Sequence, residues 1–168
     1  MRRRSGSSYE MKFVTKLGWI AFLLLLIGIS GCKRTLSRRD FKYDNYQWVA
    51  MLPPEQGTFH GKQVKIAIDP TAFDQHQVPP REFAFVESLL PRLPDIFTKV
   101  DEALRTYNKS MGDETSYLQN LADPCIYIPY GLDSTGAWVF DVDKDERHGV
   151  GWQCDFKGTE FQRAWQDN

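Results

Sequence analysis

The sequence predicts an α+β domain: a mainly antiparallel sheet with helices packed on one face. Three observations carry this prediction. Val64, Ile66 and Ile68 alternate with Lys65 and Asp69, which is the period of a half-buried strand. Ile96, Phe97, Val100, Leu104 and Tyr107 form an apolar stripe of helical spacing. Trp138, Phe140 and Val142, then Val150, Trp152, Cys154 and Phe156, make two further alternating runs that read as a hairpin. Strands, then helices, then strands is the order expected of such a fold.

In chain order, the first feature is a greasy run, Leu17–Ile29, preceded by Lys12 and Lys16 and ended by Gly31-Cys32. Between Lys16 and Lys33 lie 16 uncharged residues. A spanning helix needs about 20 apolar residues, whereas the apolar core of a signal peptide needs only about 7–15. Length therefore favours a signal over an uncleaved anchor. Flanking charge does not decide, because five basic residues precede the run and five follow it closely.

The residues Ile29-Ser30-Gly31-Cys32 resemble the lipobox of bacterial lipoproteins: a branched apolar residue, two small ones, and the cysteine. The resemblance implies cleavage before Cys32, lipidation of its thiol and fatty acylation, palmitate included, at the new amino group. Several acyl chains hold a protein firmly where one holds it marginally. Lys33 in the second mature position is not Asp, which implies the outer membrane, facing the periplasm. Met11-Lys12 would open a signal of conventional length, leaving residues 1–10 as an extension. The domain reading is 1–31 signal peptide, 32–44 lipidated basic tether and 45–168 a single acidic domain.

Past Cys32, the polar stretch from Arg34 to Asp44 lacks periodicity and reads as that tether. Tyr46, Trp48, Ala50 and Leu52 alternate as a strand that Pro53-Pro54 stop. Gly57–His60 and Gln63–Asp69 flank Gly61-Lys62 and predict a hairpin. After a loop over 74–81, Phe83, Val86, Leu89 and Leu90 place a helix at 82–90, interrupted by Pro91. A second helix over 94–109 starts on Pro94 and Asp95, suited to a helix N-terminus. A short helix at 114–121 ends before Asp123-Pro124. Ile126–Tyr130 is a short strand with Pro129 at an edge or an end. The closing hairpin has its charged tip at Lys144–His148, and Thr159-x-x-Gln162 resembles a capping box opening a last helix that carries Phe161 and Trp165.

Charge divides the chain. Of the 168 residues, Lys33, Arg34, Arg38, Arg39 and Lys42 crowd the tether, while Asn45–Asn168 holds 11 basic and 19 acidic residues, a net −8. A basic tether suits anionic headgroups. An acidic body repels phosphates, which excludes nucleic acid as a partner and favours a basic protein.

Chemistry is sparse. Asp141, Asp143 and Asp145 have the spacing that opens an EF-hand loop, but Glu146 and Trp152 stand where Gly and a bidentate Glu are required. His60, His76 and His148 are scattered without ligand spacing, so no metal or cofactor is called for. Asp143, Glu146 and His148 at the hairpin tip are the one constellation capable of acid–base work. With Cys32 lipidated, Cys125 and Cys154 remain as an even pair, and outside the cytoplasm such pairs form disulfides. Against that, Cys154 shares the apolar face of Trp152 and Phe156, where buried thiols are common, and Cys125 faces away from Ile126 and Ile128. Both outcomes stay open.

The run GTFHGKQVKIAID at 57–69, the helical middle and the turn at 143–149 are similar to a loose family of uncharacterised bacterial domains, over Gly57–Phe156. That resemblance implies partner binding or toxin immunity and no reaction. The leading expectation is a lipid-anchored protein-binding module of the envelope. Its rivals are a small envelope hydrolase or metal-dependent enzyme built on Asp143, Glu146 and His148, and a structural envelope protein.

Everything about location rests on one thiol. Cys32→Ser is expected to abolish processing and acyl labelling of the chain in its cell and to change its release from membranes; unchanged processing and release would end the lipoprotein reading.

Overall fold

The computed structural model describes residues 34–70, 76–112, 121–132, 136–144 and 151–167, without the side chains at 143, 144 and 167. Residues 35–168 make one compact unit. Its strands are β1 (Lys42–Asp44), β2 (Gln47–Met51), β3 (Thr58–Phe59), β4 (Lys62–Gln63), β5 (Lys65–Ile68), β6 (Leu121–Ile128), β7 (Ala137–Lys144), β8 (Gly151–Lys157) and β9 (Glu160–Asp167). Two helices, α1 (Pro80–Leu89) and α2 (Leu93–Ser110), separate β5 from β6. A seven-stranded sheet runs β1-β2-β5-β6-β7-β8-β9, and β3-β4 forms a separate two-stranded ribbon. All neighbours in the large sheet are antiparallel except β5 and β6. The predicted α+β architecture, helices on one face of a mainly antiparallel sheet, is thus the observed one.

Alternation decides which face is covered. Ile66, Ile68, Ile126, Ile128, Trp138, Phe140, Val142, Trp152, Cys154 and Phe156 are all buried on one side. They share a single core with Phe83, Val86 and Leu89 of α1 and Leu93, Ile96, Val100 and Leu104 of α2. Cross-strand partners Trp138 and Phe156 stack at 4.6 Å and 14°, an arrangement that adds to plain burial. Phe97 of α2 meets Phe140 of β7 edge-on at 5.8 Å, and Phe59 of the ribbon meets the same ring at 5.2 Å. Gly57 lets that ribbon come close: its φ is +151°, and a Cβ there would lie 2.9 Å from the Phe97 ring.

Several expectations change in detail. The strand at 65–68 is antiparallel only toward β2; toward β6 it is parallel, with Ile66 opposite Ile126 and Ile68 opposite Ile128. A parallel neighbour needs a crossover, and the two helices supply it. The ribbon turns on His60-Gly61, both at positive φ (47° and 77°), one residue earlier than expected, as a two-residue hairpin turn demands. Leu121 opens β6 instead of ending a helix; 113–120 lie outside the described residues. Pro124 sits inside β6 at a register irregularity, just before pairing with β5 begins at Cys125, one of the few places where a sheet accepts proline.

The last segment is a strand, not a helix. Gly158-Thr159 forms a tight connection between Lys157 and Glu160, which pair with each other, and β9 then runs back along β8. The Trp138 indole N–H donates to the Gly158 carbonyl at 2.7 Å, and the Gly158 N–H to the Gly136 carbonyl at 2.9 Å. Those bonds fix the turn, and the seven residue pairs between β8 and β9 outweigh a local capping signal.

The tether is also shorter than the sequence suggests. Leu36 and Phe41 are buried at 4% and 6% exposure, and Phe41 packs edge-on against Phe83 at 5.8 Å. Between them Arg38–Asp40 make a 3-10 turn, closed by Asp40 accepting from both the N–H and hydroxyl of Ser37 at 2.8 Å. Lys42–Asp44 then pair with β2 through a turn at Asn45-Tyr46. Two apolar anchors therefore draw 35–44 into the folded unit despite its charge.

Phe140 tests the core. Phe140→Ala should cost about 3–5 kcal/mol in denaturant unfolding, whereas Met51→Ala, at a side chain 46% exposed on the uncovered face, should stay within about 0.5 kcal/mol.

Candidate functional site

Of the residues singled out from sequence, Asp143 lies in β7, with its side chain outside the described set, and Glu146 and His148 lie outside the described residues altogether. Cys32 does too. Cys125 and Cys154 are described, and the register answers their question. Cys125 pairs with Asp141, which pairs with Gln153; Ile126 pairs with Phe140, which pairs with Cys154. The thiols thus stand two strands apart on opposite faces of the sheet. Strands are about 4.8 Å apart, so the Cβ atoms cannot approach to disulfide distance, and the two sulfurs are not joined. Of the two outcomes left open by the sequence, the structure has the thiols and not the disulfide. The alternation of Cys125 against Ile126 already held the decisive clue.

The uncovered face carries a polar surface on which Asp69 and Asp155 are each engaged by two donors. Asp69 accepts from the Tyr127 hydroxyl and, at 3.2 Å, from the Gln47 amide. Asp155 accepts from the Arg163 guanidinium and, at 3.2 Å, from the Trp165 indole. A shallow cavity of about 320 Å³ lies among Lys65, Cys125, Tyr127, Asp141 and Gln153. Burial, then the hydrogen bond to Asp69 and the charge of Asp69, push the Tyr127 hydroxyl up to about 12. On the covered face burial, aided by the nearby negative charges of Asp155 and Asp141, pushes the Cys154 thiol up to about 12. A thiol so placed stays protonated and inert at neutral pH. Among the described residues no three His, Cys, Asp or Glu side chains gather for a metal.

A larger concavity lies elsewhere, where the sheet ends. Between the flank of α2 and β9 runs a groove of about 740 Å³. Its floor is Ala103 and Tyr107 from the helix and Phe161 and Ala164 from the strand; its rims carry Lys99, Glu102, Thr106 and Glu160. The α2 stripe turns Leu93, Ile96, Val100 and Leu104 inward, leaving Ala103 and Tyr107 half-buried at the side. Ala164 pairs with Cys154 and so faces the helix layer.

Electrostatics distinguish this groove from the uncovered face. The Lys99 ammonium donates to the Thr159 carbonyl at 2.8 Å. The carboxylates of Glu102 and Glu160 are exposed and have no partner among the described residues. β9 itself is the last strand of the sheet, eight residues long, and no described strand pairs with its outer edge. A strand edge with unpaired backbone N–H and C=O groups is a template for another chain. Sequence reasoning missed the groove because it read a short helix carrying Phe161 and Trp165 after Thr159; the apolar residues of β9, at 161, 164 and 165, do not alternate, so only Gly158 signalled a turn.

No family model, curated protein or solved structure matches this chain. Function must therefore be read from the chain's own residues.

Two measurements check the site's chemistry. Non-reducing mass analysis should find Cys125 and Cys154 as thiols, alkylated quickly only after unfolding. Tyr127 and Cys154 have folded values above their ordinary 10.0 and 9.0, so their contribution to stability is complete below about pH 9 and is lost as pH rises toward 12. In alkaline unfolding curves, Tyr127→Phe should lack the part of that loss lying between pH 10 and 12.

Proposed function

We propose that the protein is a lipid-anchored cell-envelope module, held by acyl chains on Cys32, that binds a partner protein. The partner presents an extended segment with basic side chains, laid along β9 with alternate residues entering the groove beneath α2. The carrying observation is the groove itself: an apolar floor, two unpartnered glutamates on its rims, and the open edge of an eight-residue strand beside it. Strand addition supplies backbone hydrogen bonds, while pockets for alternate side chains supply selectivity. The net −8 of residues 45–168 steers a basic partner toward the surface and repels an acidic one. A toxin held inactive by such capture belongs to this partner class.

The reading is tested with a defined probe: an eight-residue peptide alternating valine and lysine, titrated onto the full-length chain in uncharged detergent. Backbone amides of β9 should gain protection from hydrogen exchange, and added salt should weaken binding. Glu102→Lys with Glu160→Lys should weaken it at least tenfold. Equal binding by a valine–glutamate peptide, or protection absent from β9, would overturn the proposal.

A further inference from the structure

We infer a binding site for the phosphate headgroup of a membrane lipid at the opposite edge of the sheet, beside β1. A cavity of about 220 Å³ is lined by Arg38, Arg39, Trp48, His76, Gln77 and Val78. Arg38 is exposed and its guanidinium lies 5.2 Å over the Phe83 ring, which holds it in place. Arg39 is exposed as well, and neither arginine has a carboxylate partner among the described residues. The nearest acid along the chain, Asp40, is turned back onto Ser37.

Trp48 adds an independent sign. Its indole N–H is buried and has no acceptor among the described residues. That nitrogen is closed to solvent as the ring stands, and a small turn of the ring toward the adjoining cavity would bring it an acceptor on an oxygen-rich anion. Two guanidinium groups and one indole N–H offer only donors, the recognition set of a phosphate.

Chain length selects a lipid as the source. The folded unit begins at Thr35, three residues after Cys32, and three extended residues span at most about 10 Å. An acyl group on Cys32 therefore keeps this edge within reach of the headgroups whatever path residues 33 and 34 take. On the β1–β2 hairpin, Tyr43 and Tyr46 are 37% and 81% exposed, the residue type that settles at headgroup depth. This choice of source rests on the acylation proposed for Cys32; the donor set does not.

The test uses the full-length Cys32→Ser chain in uncharged detergent, so its result is independent of whether Cys32 is acylated. The probe is short-chain phosphatidylglycerol, read by the indole N–H resonance of Trp48, identified by its loss in Trp48→Phe. That resonance should shift saturably. Arg39→Gln, which leaves the Arg38–Phe83 contact intact, should weaken binding at least fivefold with an unchanged Tm, and adding Arg38→Gln at least tenfold overall. A Trp48 resonance that never moves overturns the site. Binding unchanged in both arginine variants overturns the donor assignment. Inorganic phosphate binding as tightly as the lipid overturns the membrane source.

Discussion

The parallel pairing of β5 with β6 is the constraint on which the rest of the fold depends. Among the described strand pairings it alone joins an amino-terminal group of strands to the β6–β9 meander, and it places Ile66 beside Ile126 and Ile68 beside Ile128 at the centre of the sheet. Parallel neighbours cannot be joined by a tight turn, so the chain must leave the sheet and return. The excursion carries α1 and α2, whose apolar stripes then cover the face on which the four isoleucines lie. A buried carboxylate secures the return: Glu82, 4% exposed on α1, accepts at 3.2 Å from the N–H of Gly131, just past the end of β6. Gly131 has a φ of +66°, which a side chain would resist. Strand pairing, crossover and turn thus support one another.

A one-sided sheet leaves two kinds of surface, and their electrostatics differ. On the uncovered face Asp69 and Asp155 are each held by two donors, as suits a solvated sheet surface. At the sheet's last strand the opposite holds. There α2 overhangs β9 without filling the space below it, and Glu102 and Glu160 have no partner among the described residues. Unpaired charge on a rim costs little in water, yet it biases which partner arrives. The proposed site is the place where backbone edge, apolar floor and unpaired charge coincide.

Much of this was legible in the sequence, because period is a statement about faces. The runs at 64–68, 138–142 and 150–156 identified the buried side of three strands, and the stripe at 96–107 identified the inner side of α2. What failed was local chemistry read without its tertiary context. Thr159 and Gln162 have the spacing of a capping box, but a strand already in place on the other side of Gly158 offers seven residues of pairing, which a short exposed helix cannot match. The tether misled for the converse reason. Five basic residues in eleven gave it the composition of a solvated linker, yet Leu36 and Phe41 suffice to dock it. The parallel partner of β5 was not legible at all, since alternation fixes the face of a strand and not its neighbour.

The early start of the fold bears on how an anchored molecule would present itself. β1 and β9 are the two ends of a seven-stranded sheet, six strand spacings of about 4.8 Å, or roughly 29 Å, apart. Arg38, Arg39 and Lys42 are exposed at the first end, Glu102 and Glu160 at the second. That separation exceeds the screening length of about 8 Å at physiological salt, so each end acts on its own surroundings. A long flexible tether would let an acidic body drift at any angle to an anionic surface. A link of three residues beside Arg38, Arg39 and Lys42 would hold the near end to the surface instead. In the proposed anchoring, the charge that holds the β1 edge to the headgroups also turns the β9 groove away from them, leaving its open strand accessible to a partner from the aqueous side.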